Sequence, residues 1–205
     1  MKTWVITGGA ASGKSAFARL LHELEPSSEL FSSDEAVHQL LMEPPVVEAI
    51  VASFGKDILD EKGAILRGKL REKVFAASST QPKAELEAIL HPLVRTHLEE
   101  MRSRLENGKK TELLIAEIPL FYESSHDYQA DLVIVVAVGT TVQLERLTGL
   151  RGLDPATAER LCAAQWPLSR KLEAAHQVIW NEGTPELLKL QAQLLLQQLN
   201  ADNGK

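Results

Sequence analysis

The residues most able to do chemistry lie near the start of the chain. Gly8-Gly9-Ala10-Ala11-Ser12-Gly13-Lys14-Ser15 fits the spacing G-x-x-x-x-G-K-[ST]. Glycines let the backbone turn its N–H groups inward. A helix starting at the same point adds the positive end of its dipole, so the stretch suits phosphate. Lys14 can reach the β- and γ-phosphates of a nucleoside triphosphate, and the Ser15 hydroxyl can ligate Mg²⁺. ATP with Mg²⁺ is the expected pair, held by Gly8 through Ser15 and by Ala16. Lys14 is expected to be exposed in this cradle. The plain alternative is a glycine turn between a strand and a helix. The flanks favour the phosphate loop: TWVIT reads as a buried strand, and SAFARLLHEL sets Phe17, Leu20, Leu21 and Leu24 at helical spacing.

The elements that must position this loop follow from apolar patterning. SELFS, TELLIAEIPL, DLVIVVAV and HQVIWNEG are four further short strand patterns. The two central runs are apolar throughout and rich in β-branched residues, as in parallel strands covered on both faces. Between the second and third strands the chain reads as helical from Ala36 to about Lys110. It has a turn at Lys62–Gly63, a kink expected at Pro92 and a stop at Gly108. TTVQLERLTGL is helical, as is DPATAERLCAAQ with Asp154 as N-cap and Pro155 at the first helical position. A last helix follows Thr184. Strands alternating with helices predict an α/β fold with a five-stranded parallel sheet. Ligands then bind at the C-terminal ends of the strands.

The whole chain narrows the function classes. Its 205 residues suit one domain with an insertion. A net charge of −6 argues against a general nucleic-acid binder. No apolar run reaches the length of a membrane span. The first strand pattern begins at once, which leaves no room for a signal peptide and makes the cytoplasm the expected compartment. Cys162 is the single cysteine, so no internal disulfide is possible, and it reads as a small core residue. No N-K-x-D guanine reader is present. A motor or transport ATPase would need a strand ending in an acid. The candidate strand LLIAEIPLF is read with Glu117 in its middle and Pro119 closing it. A small-molecule kinase, with a substrate-holding insertion and a basic lid, fits better.

TGGAASGKS, FGKDILDEKGAILRGKLREKVF, LEAILHPLV, IPLFYES and AAQWPLSRK…VIWNEG stand in an order and spacing that resembles the dephospho-coenzyme A kinase family. The resemblance spans nearly the whole chain. It implies phosphorylation of the ribose 3′-hydroxyl of dephospho-coenzyme A by ATP, the last step of coenzyme A synthesis. It also implies one P-loop kinase domain with three parts. The core covers about 1–35, 111–145 and 172–205, a helical coenzyme-binding insertion about 36–110, and a lid about 146–171.

Residue roles follow from the matching positions. Asp34 matches the second aspartate of the family's D-x-D and is the candidate for orienting or deprotonating the hydroxyl; SSDEAV is also a good helix cap. Ser32 replaces the first aspartate and His38 the following arginine. Ala11 replaces a loop glycine, Leu150 a second lid arginine, and His176 a late aspartate. Arg146 is the lid arginine expected to act on phosphate, with Arg151, Arg170 and Lys171 nearby. Solvated helix charge is their alternative. Arg67, Arg71 and His91 are candidates for the coenzyme site, or else surface charge and a packed histidine. Asn181 and Gly183 match the turn expected near adenine, or form a plain strand-end turn. The changed positions leave a second function open: a nucleotide- or coenzyme-binding protein with weak or no turnover.

Overall fold

A computed structural model describes residues 1–76, 81–108, 111–124 and 128–203. The chain divides into two compact units. The first joins Met1–Ser32 to Leu105–Lys205, and the second is Ser33–Arg104.

The first unit is built on five strands: β1 (Lys2–Gly8), β2 (Ser28–Ser32), β3 (Leu113–Glu117), β4 (Leu132–Ala137) and β5 (Gln177–Trp180). Their order is β2-β3-β1-β4-β5, with every pairing parallel. The sheet has the expected five parallel strands, and β1, which leads into the phosphate loop, lies at its centre. β3 and β4 are buried almost throughout, which explains their unbroken apolar sequence.

Helices α1 (Lys14–Leu24) and α9 (Pro185–Asn203) bear on the sheet. Phe17, Leu21, Leu188 and Leu195 join Trp4, Ile6, Ile115, Ile134, Val136 and Ile179 in one core cluster. Burying such side chains stabilises by about 1.5–3 kcal/mol each and holds the strand tips in place. Between β4 and β5 run α6 (Thr140–Glu145), a π-helical turn (Arg146–Leu150), α7 (Pro155–Ala163) and α8 (Leu168–Ala174). TTVQLERLTGL is thus one short helix ending in a wider turn rather than one helix.

The second unit is helical: α2 (Ser33–Leu40), α3 (Pro44–Phe54), a 3₁₀ turn (Lys56–Ile58), α4 (Arg67–Ala76) and most of α5 (Gln81–Gly108). α5 continues through Pro92 and ends at the expected Gly108. Lys73 Nζ lies 2.6 Å from Asp57 Oδ1 and also donates to the Phe54 carbonyl, which ties α4 to the end of α3. The hydrogen bond from Lys73 to Asp57 holds the Asp57 carboxyl below its usual value. The expected turn has Gly63 at φ +81°, with Asp60 N donating to the Ala64 carbonyl at 2.9 Å.

Candidate active site

The phosphate loop runs from the end of β1 into α1. Gly8 has φ +145°, and a Cβ there would stand 2.2 Å from the Val136 carbonyl oxygen. The glycine is required by this approach of two central strands. Gly13, at φ +92°, caps α1; a Cβ there would meet Asn181 Nδ2 at 2.1 Å. Ala11 also has a left-handed backbone, φ +54°, at the position where the family resemblance implies glycine. A residue with a Cβ holds that conformation at a cost of about 1 kcal/mol, so its surroundings must enforce it.

Lys14 is buried, 8% exposed, rather than exposed as expected. The loop wraps its ammonium, which donates to the Gly9 carbonyl at 2.9 Å. Ser15 Oγ donates to Glu117 Oε1 at 2.5 Å. Glu117 is the last residue of β3, not a mid-strand residue, and is 5% exposed. Its place beside the loop depends on sheet register: Glu117 pairs with Ile6 on one side and with Ser32 on the other. The strand does end in an acid. The missing signal was the point where LLIAEIPLF leaves the sheet. Ser15 and Glu117 form a pair of hard oxygen donors, the chemistry that suits Mg²⁺.

Two groups from the far end of the unit reach the same loop. Arg146 donates to the Asn181 carbonyl at 2.6 Å and to the Ala11 carbonyl at 3.4 Å. Asn181 Nδ2 donates to the Ser12 carbonyl at 2.8 Å. Arg146, Asn181, Lys14 and Ser15 are therefore brought together with Gly8–Gly13. Ala16 is exposed on the first turn of α1. Arg151 and Gly183 are exposed, and neither makes a described hydrogen bond to the loop. A cavity of about 320 Å³ opens beside the loop, lined by Gly9, Ser12, Gln143, Cys162, Gln165 and Lys171 among others. Cys162 is half-buried there, and burial pushes its thiol pKa up.

Glu123 holds the return of the α7–α8 segment. Its Oε1 accepts from Trp166 N at 2.8 Å and lies 2.8 Å from Lys171 Nζ. Lys171 is 1% exposed, so it is a buried partner of Glu123 and not a free lid cation. The Trp166 ring stacks on Tyr122, and the Arg170 guanidinium lies 3.4 Å from the Trp166 ring centre. His176 is structural: its Nδ1 accepts from Val133 N at 2.9 Å, and its own N–H donates to the Val133 carbonyl.

In the second unit, Asp34 is exposed in the first turn of α2, two residues past the end of β2. Arg67 and Arg71 are exposed one turn apart on α4, and His91 is half-buried on α5.

This sheet order and loop define a P-loop kinase of the small-molecule type. The fold is shared with the shikimate kinase from Acinetobacter baumannii, at 19% identity and a TM-score of 0.57, with 100% of this chain and 96% of that chain covered. The particular family is narrower. A family model described as dephospho-CoA kinase (CoaE) matches residues 3–186. The dephospho-CoA kinase of Geobacillus kaustophilus is 37% identical over 198 residues, covering 96% of each chain. A solved dephospho-CoA kinase from Campylobacter jejuni is 27% identical, with a TM-score of 0.70, covering 99% of this chain and 100% of that one. The chain belongs to the dephospho-CoA kinase family, and is an enzyme of the phosphotransferase class.

Proposed function

We propose that this protein transfers the γ-phosphoryl group of ATP to the ribose 3′-hydroxyl of dephospho-coenzyme A. The observation that carries the reading is the loop of Lys14 and Ser15 set against the buried Glu117 carboxylate. In the reaction the hydroxyl oxygen bonds to the γ-phosphorus. The bond from that phosphorus to the β–γ bridging oxygen breaks, and ADP leaves. Catalysis is mainly positioning and charge neutralisation. Lys14 and the loop N–H groups hold the phosphates, and Arg146 adds charge from the other side of the loop. Ser15 and Glu117 would hold Mg²⁺, which when bound neutralises phosphate charge. Asp34 takes the hydroxyl proton. Arg67, Arg71 and His91 bind the coenzyme, and Arg151 joins the phosphates when residues 146–171 close as a lid. Asn181 and Gly183 border the adenine.

A second reading, a binding protein with weak turnover, draws on Ser32, which puts no carboxylate beside Glu117. Two substitutions test the residue roles, and turnover of the native protein separates the readings. Lys14→Ala lowers turnover by about 10²-fold or more, the scale for removing one charge-stabilising group. Asp34→Asn lowers turnover by about 10²-fold, the scale for a general base, while ATP affinity holds. Near-normal turnover in either variant contradicts the role given to that residue. No turnover in the native protein, with ATP still bound, favours the second reading.

A further inference from the structure

We propose that Gln165 is a positioning residue for the phosphate loop, acting with Gln143 on the peptide groups of Ala10. Gln165 Oε1 accepts the Ala10 N–H at 2.9 Å, and Gln143 Nε2 donates to the Ala10 carbonyl at 2.8 Å. Both backbone polar groups of one loop residue are thus held by side-chain amides from distant segments. The next residue is Ala11, in the left-handed conformation. No glycine stands between Gly9 and Gly13 to make that turn cheap. A strained backbone residue persists where its neighbours over-determine it. Here the two glutamines do so, together with the buried Ala10 methyl, which packs with Leu147 and Ala158. Gly9 makes room for the clamp: a Cβ there would come within 2.6 Å of Gln143 Nε2.

Gln165 is itself held firmly. Its neighbour Trp166 donates its N–H to Glu123, stacks on the Tyr122 ring and has the Arg170 guanidinium against its own ring. The acceptor for Ala10 therefore belongs to a pinned segment, not to a loose loop. The clamp bears on the shape of the phosphate cradle, and the inference rests on reading that cradle as the ATP site.

The test is a double-mutant cycle on ATP affinity, measured by calorimetry, with melting temperature followed alongside. Gln165→Met keeps the volume and removes the acceptor. In the native background it raises the ATP Kd by about fivefold, the scale of one net hydrogen bond. In an Ala11→Gly background, where the left-handed turn carries no Cβ strain, it raises the Kd by less than about twofold. The same factor in both backgrounds, or no change in either, overturns the proposal. Amide exchange of the unmutated, nucleotide-free protein gives an independent measurement. The Ala10 N–H exchanges slowly if Gln165 holds it, and exchange at an open rate overturns the clamp even if Gln165→Met does not fold. A native protein that binds no ATP sinks the reading of the cradle instead, and the exchange result still judges the clamp.

Discussion

Glu117 and Ser32 are paired across β2 and β3, and only one of them carries charge. Like charges on directly paired strand residues repel. Glu117 already accepts the Ser15 hydroxyl, so a carboxylate stands at the loop despite serine at 32. Ser32→Asp is therefore expected to leave turnover unchanged or lower it, as read by initial rates at saturating ATP. A severalfold rise would mean that position 32 limits the native enzyme. The phosphate loop was legible in the sequence because its whole signal lies in eight consecutive residues. Glu117 was misplaced because a strand's end is set by its neighbours' register. The roles of Lys171 and His176 were hidden for a related reason. Their partners, Glu123 and Val133, stand more than 40 residues away in sequence.

At the scale of elements, all five strands and their parallel pairing could be read from apolar run length and alternation with helices, whereas their order in the sheet comes from the structure. The break at Arg146–Leu150 could not, because nothing in RLTGL distinguishes a π-helical turn from a helix end. Asp154 caps α7 as its sequence suggests, accepting from Thr157 N at 3.0 Å. The Thr157 hydrogen bonds hold its carboxyl below the usual value, with the Arg160 charge adding to them. A lowered folded pKa means the cap stabilises above the unfolded value of 3.8 and is lost as pH falls through the lower one. Asp154→Asn cannot titrate, so any melting-temperature advantage of the native protein over it shrinks as pH is taken from about 7 towards 3. A constant difference over that range contradicts the assigned shift. Buried Lys171, on the following helix α8, is held by the part-buried Glu123. Lys171→Met leaves Glu123 without its cation and is expected to cost about 3 kcal/mol in denaturant unfolding, the low end for a pair whose carboxylate is part-exposed. A cost under about 1 kcal/mol would show the pair to be dispensable.

Over the whole molecule, a chain of net charge −6 handles anionic substrates through local groups. Lys14, Arg146 and the loop N–H groups supply them on the first unit, and Arg67 and Arg71 stand on the second. Among the described residues no helix is long and apolar enough to cross a membrane. The most direct measurement is the native protein's turnover of ATP and dephospho-coenzyme A with Mg²⁺, read by ADP release and by phosphorus NMR of the product. The account predicts steady ADP release that depends on dephospho-coenzyme A and a new phosphomonoester at the ribose 3′ position. ATP binding without that product, or a phosphoryl group on another oxygen, would contradict it.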